Sequence, residues 1–506
     1  MNKPLDQADL DSDSGPLYAP RAQVYPQSVS GTFRNIKWGL MAFCLAVYYI
    51  LPFVRWDRGP DAPGQAVLVD FPNRRFYFFF IELWPQEIYY FTGLLIIAAM
   101  ALFLMNAVGG RMWCGYLCPQ TVWTDLFYAV ERFIEGDRRD RMKKAAGRLT
   151  VRRIGEIAAK HAIWLFIAWW TGGAWVLYFA DAPTLVKGLA TGEAPAAAYV
   201  WIAILTFTTY ALAGHMREQV CVYMCPWPRI QAALTDEWAL NVTYRYDRGE
   251  PRMSLRKADE LRAHGRPAGD CIDCHQCVAV CPTGIDIRDG AQLECIMCGL
   301  CIDACDTVMK KVGRPTGLIA YDTDINIARR IEGKPPVYRM VRPRTVIYVG
   351  LIALVGSVML YALLTRSHLD ISVRHDRNPL FVMLSDGSIR NAHTVHLLNK
   401  RPVVSTIEIA VEGLPEAEVH VAGLDMVVPG MPLIPVGPDQ GREVRVLVTI
   451  PATARVDRST PLTFRATDIA TGESAVARDH FISRGEEEHG EIEGETRGRR
   501  NGGAEH

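Results

Sequence analysis

The stretch CIDCHQCVAVCP, residues 271–282, places four cysteines in the spacing C-x2-C-x2-C-x3-C-P, and CIMCGLCIDAC, residues 295–305, repeats that spacing. Short loops of this kind bring three sulfurs around one centre, and in two-cluster ferredoxins the fourth cysteine of each run binds the cluster of the other run. The pattern predicts two 4Fe–4S clusters. The expected ligands are Cys271, Cys274, Cys277 and Cys305 for cluster one, and Cys295, Cys298, Cys301 and Cys281 for cluster two.

A zinc module is the main alternative for these cysteines, because zinc sites also use CxxC pairs. Zinc needs only four ligands per metal, which gives no reason for a three-plus-one pattern twice over. The second run carries Asp306 where the first has Pro282. That proline shapes the chain and is not a ligand, so its absence from the second run weakens the ferredoxin match only slightly. The ferredoxin interpretation is favoured over zinc.

Apolar segments surround the ferredoxin. A helix needs roughly 20 mostly apolar residues to cross a bilayer, and Trp and Tyr mark its interfaces. Five segments are predicted to span, namely 37–54, 88–108, 162–180, 199–214 and 345–364. The chain has 506 residues, 49% hydrophobic content and a formal net charge of zero, so its charge does not point to a nucleic-acid partner.

The charge of the connecting loops predicts the orientation. Residues 138–148 read RRDRMKKAAGR, whereas the loops 55–87 and 181–198 have no basic excess. The basic loop is therefore expected in the cytoplasm. The first thirty residues lack an apolar core, so the first span is expected to act as its own insertion signal.

This orientation gives a complete domain plan. Residues 1–36 form a cytoplasmic tail, 37–214 hold four spans, 215–343 are cytoplasmic with the ferredoxin core at 262–312, and 344–365 form the fifth span. Residues 366–486 form a periplasmic domain, and the charged, Gly-rich segment 487–506 is expected to be disordered.

Two further cysteine motifs stand where apolar segments end. WCGYLCPQ contains Cys114 and Cys118, and VCVYMCPWPR contains Cys221 and Cys225. Residues four apart share a helical face, although the proline after each motif favours a helix end at Cys118 and Cys225. Soft sulfur ligands suit Cu(I), so we expect these four cysteines, with His215 and Met224, to form a copper site. A dithiol relay and simple packing are the alternatives.

The last region has the character of a β-sandwich. Runs such as VVSTIEIAVEG, VRVLVTI and LTFRATD alternate β-branched residues and are separated by Gly, Pro and Asp. Short strands with frequent turn signals predict a small antiparallel, immunoglobulin-like sandwich. Its histidines are scattered, and we expect ordinary surface or packing roles for them. The fold class is thus an α-helical membrane protein with an inserted bacterial-type ferredoxin and a C-terminal sandwich.

The whole plan resembles the FixG/CcoG/RdxA family. The resemblance rests on the two CxxxCP motifs, the ferredoxin run from CPTGIDIRDG to GLIAYDT, and the segment RNPLFVMLSDGSIRNAHTVHLLNKR at 377–401. It implies an inner-membrane accessory protein for cbb-type cytochrome c oxidase that reduces Cu(II) to Cu(I). The implied partners are oxidase assembly factors or a copper transporter, with an unidentified electron donor; a homodimer is left open.

Two other functions fit the same residues. One is a quinol-linked electron relay similar to NapH and NosR, which share the CxxxCP pairs. The other is a non-catalytic assembly scaffold whose sandwich docks onto the oxidase. A haem protein is disfavoured because no predicted span has an internal histidine.

Overall fold

The computed structural model describes residues 23–59, 62–401, 403–414, 416–423 and 432–483. The chain divides into two compact units, one of Met1–Val54 with Gln65–Met359 and the other of Arg55–Gly64 with Leu360–His506. The predicted tail 487–506 and the first 22 residues of the N-terminal tail lie outside the described residues.

Four helices in the described part of the chain are long and apolar enough to cross a membrane. They are Thr32–Phe53, Pro85–Gly109, Ala196–Met216 and Pro343–Leu364. The predicted segment 162–180 is not among them. It lies mostly in the helix Val151–Val176, whose apolar half contains four tryptophans with polar indole N–H groups and directly follows Lys160 and His161. Four of the five predicted spans therefore have the required length and composition, and the fifth stays a prediction.

Helices build most of the first unit. They are α1 (Thr32–Ile50), α2 (Tyr89–Gly109), α3 (Met112–Tyr116), α4 (Pro119–Glu135), α5 (Arg138–Ala146), α6 (Val151–Val176), α7 (Ala182–Thr191), α8 (Ala196–Thr209), α9 (Trp227–Leu234), α10 (Tyr246–Gly249), α11 (Leu255–Ala263), α12 (Gln276–Val280), α13 (Leu300–Lys311), α14 (Asp324–Ile331) and α15 (Pro343–Leu364). Two π-helical segments, Tyr210–Met216 and Val220–Met224, follow α8, and short 3-10 turns occupy Leu51–Phe53, Pro85–Glu87 and Ile287–Asp289.

Two small sheets complete this unit. The strands β1 (Val67–Asp70), β2 (Arg75–Phe78) and β3 (Ile81–Leu83) form an antiparallel meander between α1 and α2. The strands β4 (Asn241–Tyr244) and β5 (Ile319–Asp322) pair antiparallel on either side of the ferredoxin runs. The ferredoxin is therefore closed by a strand pair whose two members come from opposite ends of its sequence.

The N-terminus of α1, the first of the four candidate spanning helices, is attached to the ferredoxin. The Asp303 carboxylate, on α13, accepts hydrogen bonds from the backbone N–H groups of Phe33 (3.3 Å) and Arg34 (2.8 Å). The first N–H groups of a helix have no partner within that helix, and a negative charge beside them also interacts favourably with the helix dipole. The ferredoxin helix that carries Cys301 and Cys305 is thus fixed against the start of α1.

Buried charges at this end of α1 are paired. Arg34 lies 2.8 Å from the carboxylate of Asp125 on α4, and Lys37 lies 3.8 Å from it. Burial would raise the pKa of Asp125, but the charges of Lys37 and Arg34 outweigh burial and hold that pKa below its usual value. The one charge inside the first predicted span, Lys37, is therefore compensated.

The second unit contains the predicted sandwich. Its strands are β6 (Leu369–His375), β7 (Val382–Met383), β8 (Ile389–Asn399), β9 (Ser405–Glu412), β10 (Glu418–Val421), β11 (Leu433–Val436), β12 (Gln440–Ile450), β13 (Ser459–Asp468) and β14 (Ser474–Ile482). One sheet has the order β10-β12-β8-β6, with β7 also paired to β8, and the other has the order β11-β9-β13-β14. Alternate residues such as Val446, Val448 and Phe464 are fully buried between the sheets. The sandwich prediction is confirmed.

Candidate metal centre

The two cysteine runs of the ferredoxin have the same local backbone shape. In each run the residues directly before and after the second cysteine have positive φ. They are Asp273 (54°), His275 (54°), Met297 (53°) and Gly299 (73°). Alternation with left-handed residues turns successive backbone N–H groups toward one side and makes a concavity suited to an anionic group, including iron–sulfur clusters.

The fourth cysteine of each run lies near the other run. Burial raises the pKa of the Cys305 thiol to about 12, and three thiols of the first run, Cys277, Cys271 and Cys274, contribute to the rise. Burial likewise raises the pKa of Cys301 well above its usual value. The thiols that contribute there are Cys298, Cys295, Cys281 and Cys277. The eight cysteines thus fit the crossed, three-plus-one ligand sets.

The arrangement of the ferredoxin cysteines favours a cluster over a single metal ion. In the described ranges, no three His, Cys, Asp or Glu side chains converge closely enough to hold one metal ion. A tetrahedral zinc ion sits about 2.3 Å from each sulfur and needs tight convergence. A 4Fe–4S cube instead spreads its four thiolates over four iron atoms. The ferredoxin cysteines fit the cube better than they fit zinc.

The four cysteines of the CxxxCP motifs, hereafter the membrane-edge cysteines, line one cavity of about 190 Å³. Cys295 and Ile296 of the ferredoxin line the same cavity, hereafter the membrane-edge cavity. His215 and Met224 are not in its wall. The ring of His215 stacks on that of His161 with centroids 5.8 Å apart, and Met224 is 55% exposed. The structure therefore brings together the four predicted cysteines and leaves out the two accessory residues.

Proline places the second cysteine of each motif at a helix boundary. Cys118 has an extended backbone and precedes Pro119, the first residue of α4. Cys225 is also extended and ends the π-helical segment Val220–Met224. The predicted helix ends at Cys118 and Cys225 are confirmed. The expectation of one continuous helical face for each pair is wrong, because the residue before proline leaves the helical region.

A glycine lets the first CxxxCP motif touch the ferredoxin. A Cβ on Gly115 would lie 2.7 Å from the carbonyl oxygen of Ile296 and 3.0 Å from Cα of Cys298. The next residue, Tyr116, donates a hydrogen bond from its hydroxyl to the carbonyl of Cys298 (2.9 Å). Only glycine permits this backbone approach without displacement. Sequence reasoning did not identify Gly115, since its partner lies in a distant segment.

Burial and four thiols make the membrane-edge cavity a candidate site for a metal ion or a metal cluster. Burial raises the pKa of Cys114 to about 12, and the other three membrane-edge thiols contribute to the rise. Arg111 lies in the cavity wall and donates to the Cys295 carbonyl at 3.3 Å. Because the thiolate is the form that binds metals, the Cys114 thiol needs a bound metal's positive charge to lose its proton at neutral pH.

A buried ion network supports the second motif. The Glu131 carboxylate pairs with both Arg141 and Arg217, and Lys160 lies 3.7 Å from it. Arg217 has φ of 45°, an unfavourable value for a non-glycine residue, at the turn between the two π-helical segments. The ion pair with Glu131 therefore stabilises the strained turn that leads into Cys221.

Three protein-family models match the chain. A "4Fe-4S dicluster domain" matches residues 216–324, and a "4Fe-4S binding domain" matches 91–136, a range that contains Cys114 and Cys118. The "IG-like fold at C-terminal of FixG" matches 359–484. These matches support iron–sulfur clusters and the sandwich.

Curated relatives cover almost the whole chain. It is 49% identical to "Nitrogen fixation protein FixG" of Rhizobium meliloti, over 92% of this chain and 94% of that protein. It is 51% identical to "Protein RdxB" of Cereibacter sphaeroides, over 79% of this chain and 84% of that protein, and 48% identical to "Protein RdxA" of the same organism, over 90% and 94%. The chain belongs to the FixG/RdxA family.

Proposed function

We propose that this protein is a membrane-bound electron-transfer protein that reduces Cu(II) to Cu(I) during assembly of a cbb-type cytochrome c oxidase. One observation carries the proposal: Cys295, a predicted cluster ligand, lines the same cavity as the four membrane-edge cysteines. An electron held on the ferredoxin would therefore lie next to a cavity lined by four further sulfurs, from which it could pass to copper. The clusters, when bound, supply one-electron transfer, which is the chemistry that Cu(II) reduction requires.

Copper enters this proposal as the substrate. Each Cu(II) would take up one electron from the ferredoxin, which an electron donor has reduced beforehand, and sulfur ligands favour the Cu(I) product. The described residues contain no preformed convergence of three ligands on one ion. A site without such convergence suits transient binding of copper better than permanent storage of copper. We place the ferredoxin in the cytoplasm of a bacterial inner membrane, where reduced copper would reach a copper transporter or an oxidase assembly factor.

A copper titration of the reduced protein tests the proposal. The full chain is purified anaerobically in detergent and reduced with dithionite, and excess reductant is removed. Adding Cu(II) should restore the oxidised cluster absorbance, with one Cu(I) trapped by a chelator for each electron lost. Cys114→Ser combined with Cys225→Ser should slow this reaction strongly, whereas Cys44→Ser, within the first span, should leave the rate unchanged.

The same experiment separates the alternatives. Clusters that are reduced by quinol and ignore Cu(II) would indicate a quinol-linked relay and contradict copper reduction. A scaffold role is tested in cells. If cluster-ligand variants assembled active oxidase as well as the unaltered chain, electron transfer would not be the function.

A further inference from the structure

We infer that Cys114, Cys118, Cys221 and Cys225 together hold a third iron–sulfur cluster, of the 4Fe–4S type. The four thiols are contributed by two motifs far apart in sequence, and they surround one cavity. Four cysteine thiolates are the ligand set that such a cluster uses. The ferredoxin runs do not need these cysteines, since their own eight complete two clusters.

The size of the membrane-edge cavity favours a cluster over a single ion. Its volume is about 190 Å³, whereas one water-sized group needs only about 10–15 Å³. A lone metal ion held by three or four ligands would require those ligands to converge at bonding distance. No group of three potential ligands does so in the described residues. The four thiols share this open arrangement with the ferredoxin cysteines, which fit clusters.

The wall of the cavity suits a buried, anionic cluster. Apart from the cysteines it is mainly apolar, with Trp113, Trp227 and Ile296, and it also contains one positive and one negative side chain, Arg111 and Glu294. Gln231, 1% exposed, lies 3.2 Å from Sγ of Cys114. Its amide can turn to donate to that sulfur once the proton is lost, and hydrogen bonds to cluster sulfurs help to set the reduction potential of the cluster.

The backbone fixes this site against the ferredoxin. Gly115 packs on the backbone of Ile296 and Cys298, and Cys295 belongs to both the cavity wall and the predicted ligand set of cluster two. The matched 4Fe–4S binding domain at 91–136 includes half of the proposed ligands. The three clusters would then form a chain that ends at the membrane edge.

This inference rests on the proposed electron-transfer function and is independent of copper as the acceptor. Iron and acid-labile sulfide are counted in the anaerobically purified full chain without any copper present. We expect about 12 iron atoms per chain, against about 8 for the ferredoxin alone. The unaltered protein decides the matter even where a variant fails to fold. A chain with about 8 iron atoms would overturn the third cluster, and about 10 would overturn the four-iron assignment.

Variants assign the extra iron to its ligands. Cys114→Ser and Cys225→Ser, one from each motif, should each lose the same four or so iron atoms, and the two changes together should lose no more. Cys44→Ser should lose none. Losses of iron in the single variants that add up in the double variant would contradict a shared cluster. Retention of about 12 iron atoms by the double variant would overturn the inference even if copper reduction by the unaltered chain were confirmed.

Discussion

The ferredoxin and the membrane-edge cavity both gather cysteines, but they do so by different means. In the ferredoxin, residues 271–305 contain all eight predicted ligands, and left-handed residues beside Cys274 and Cys298 shape both loops. In the membrane-edge cavity, the cysteines come from two short motifs separated by α4 to α8. The first site is specified by local spacing, and the second exists only when the helices between the motifs are packed correctly.

This difference predicts different sensitivity to change. A substitution remote from the cysteines should disturb the membrane-edge cavity, because its halves are positioned by α4, α6 and the π-helical turn. The ferredoxin should resist the same substitution, since its ligands lie in one compact segment closed by β4 and β5.

The largest effect is expected from the ferredoxin ligands themselves. Cys305→Ser is combined with Cys271→Ser in one variant and with Cys301→Ser in another. Crossed ligand sets put Cys305 and Cys271 on one cluster, so the first variant should lose about four iron atoms and the second about eight. Iron and sulfide analysis measures both losses.

The matched control is again Cys44→Ser, which should retain all its iron. The opposite ranking, with the greater loss from the Cys305 and Cys271 pair, would mean that each run binds its own cluster. The crossed arrangement would then be wrong. Each ferredoxin cluster would take its ligands from one short run, so the ligand sets of the ferredoxin would be even more local than proposed.

Sequence alone could predict one half of this comparison well. The C-x2-C spacing indicated the ferredoxin, which the dicluster family model confirms. Alternation predicted the sandwich strands, and proline predicted the helix ends at Cys118 and Cys225. The convergence of the two CxxxCP pairs could be proposed only from their similarity. Gly115, Arg111 and Glu131 could not be found, because each acts through a tertiary contact that has no local pattern.

Glu131→Gln should disturb the membrane-edge side most among the remote changes. It leaves Arg141 and Arg217 buried without their shared carboxylate, at a cost of about 3–5 kcal/mol in the free energy of unfolding. The strained turn before Cys221 should open, and iron beyond that of the ferredoxin should be lost. Denaturant unfolding and iron analysis of the full chain measure the two effects.

Glu412→Gln is the control for this substitution. Glu412 pairs with Arg465 on the sandwich, where the side chains are 51% and 41% exposed, so the change should not alter stability measurably. Equal loss of iron from both sites in Glu131→Gln would remove the proposed difference between them.

Gly115→Ala should have a moderate effect at the contact between the two sites. The added methyl meets the backbone of Ile296 and Cys298, and overpacking of this kind costs about 1–3 kcal/mol. The magnetic coupling between neighbouring clusters should weaken in electron paramagnetic resonance spectra while total iron is kept. Gly155→Ala, on α6, meets no atom within 4 Å and should be neutral or stabilising. An unchanged spectrum for Gly115→Ala would mean that the contact at Gly115 does not couple the membrane-edge cavity to the ferredoxin.

The smallest effect is expected in the cysteine-free sandwich, as a check that the comparison concerns only the metal sites. Burial lowers the pKa of His393, although its partner Asp479, 2.9 Å away, opposes the shift. The unfolded chain therefore binds this proton more readily, and stability is lost as pH falls from about 6.5 through the lowered pKa of the folded state.

Calorimetry of the full chain should show the sandwich transition moving down in temperature over that range. His393→Gln should remove this pH dependence and the exposed His480→Gln should keep it, with iron content constant in both. A loss of iron that followed the sandwich transition would mean that the metal sites depend on the folded sandwich. Local spacing and helix packing would then not be sufficient to explain how the two sites are assembled.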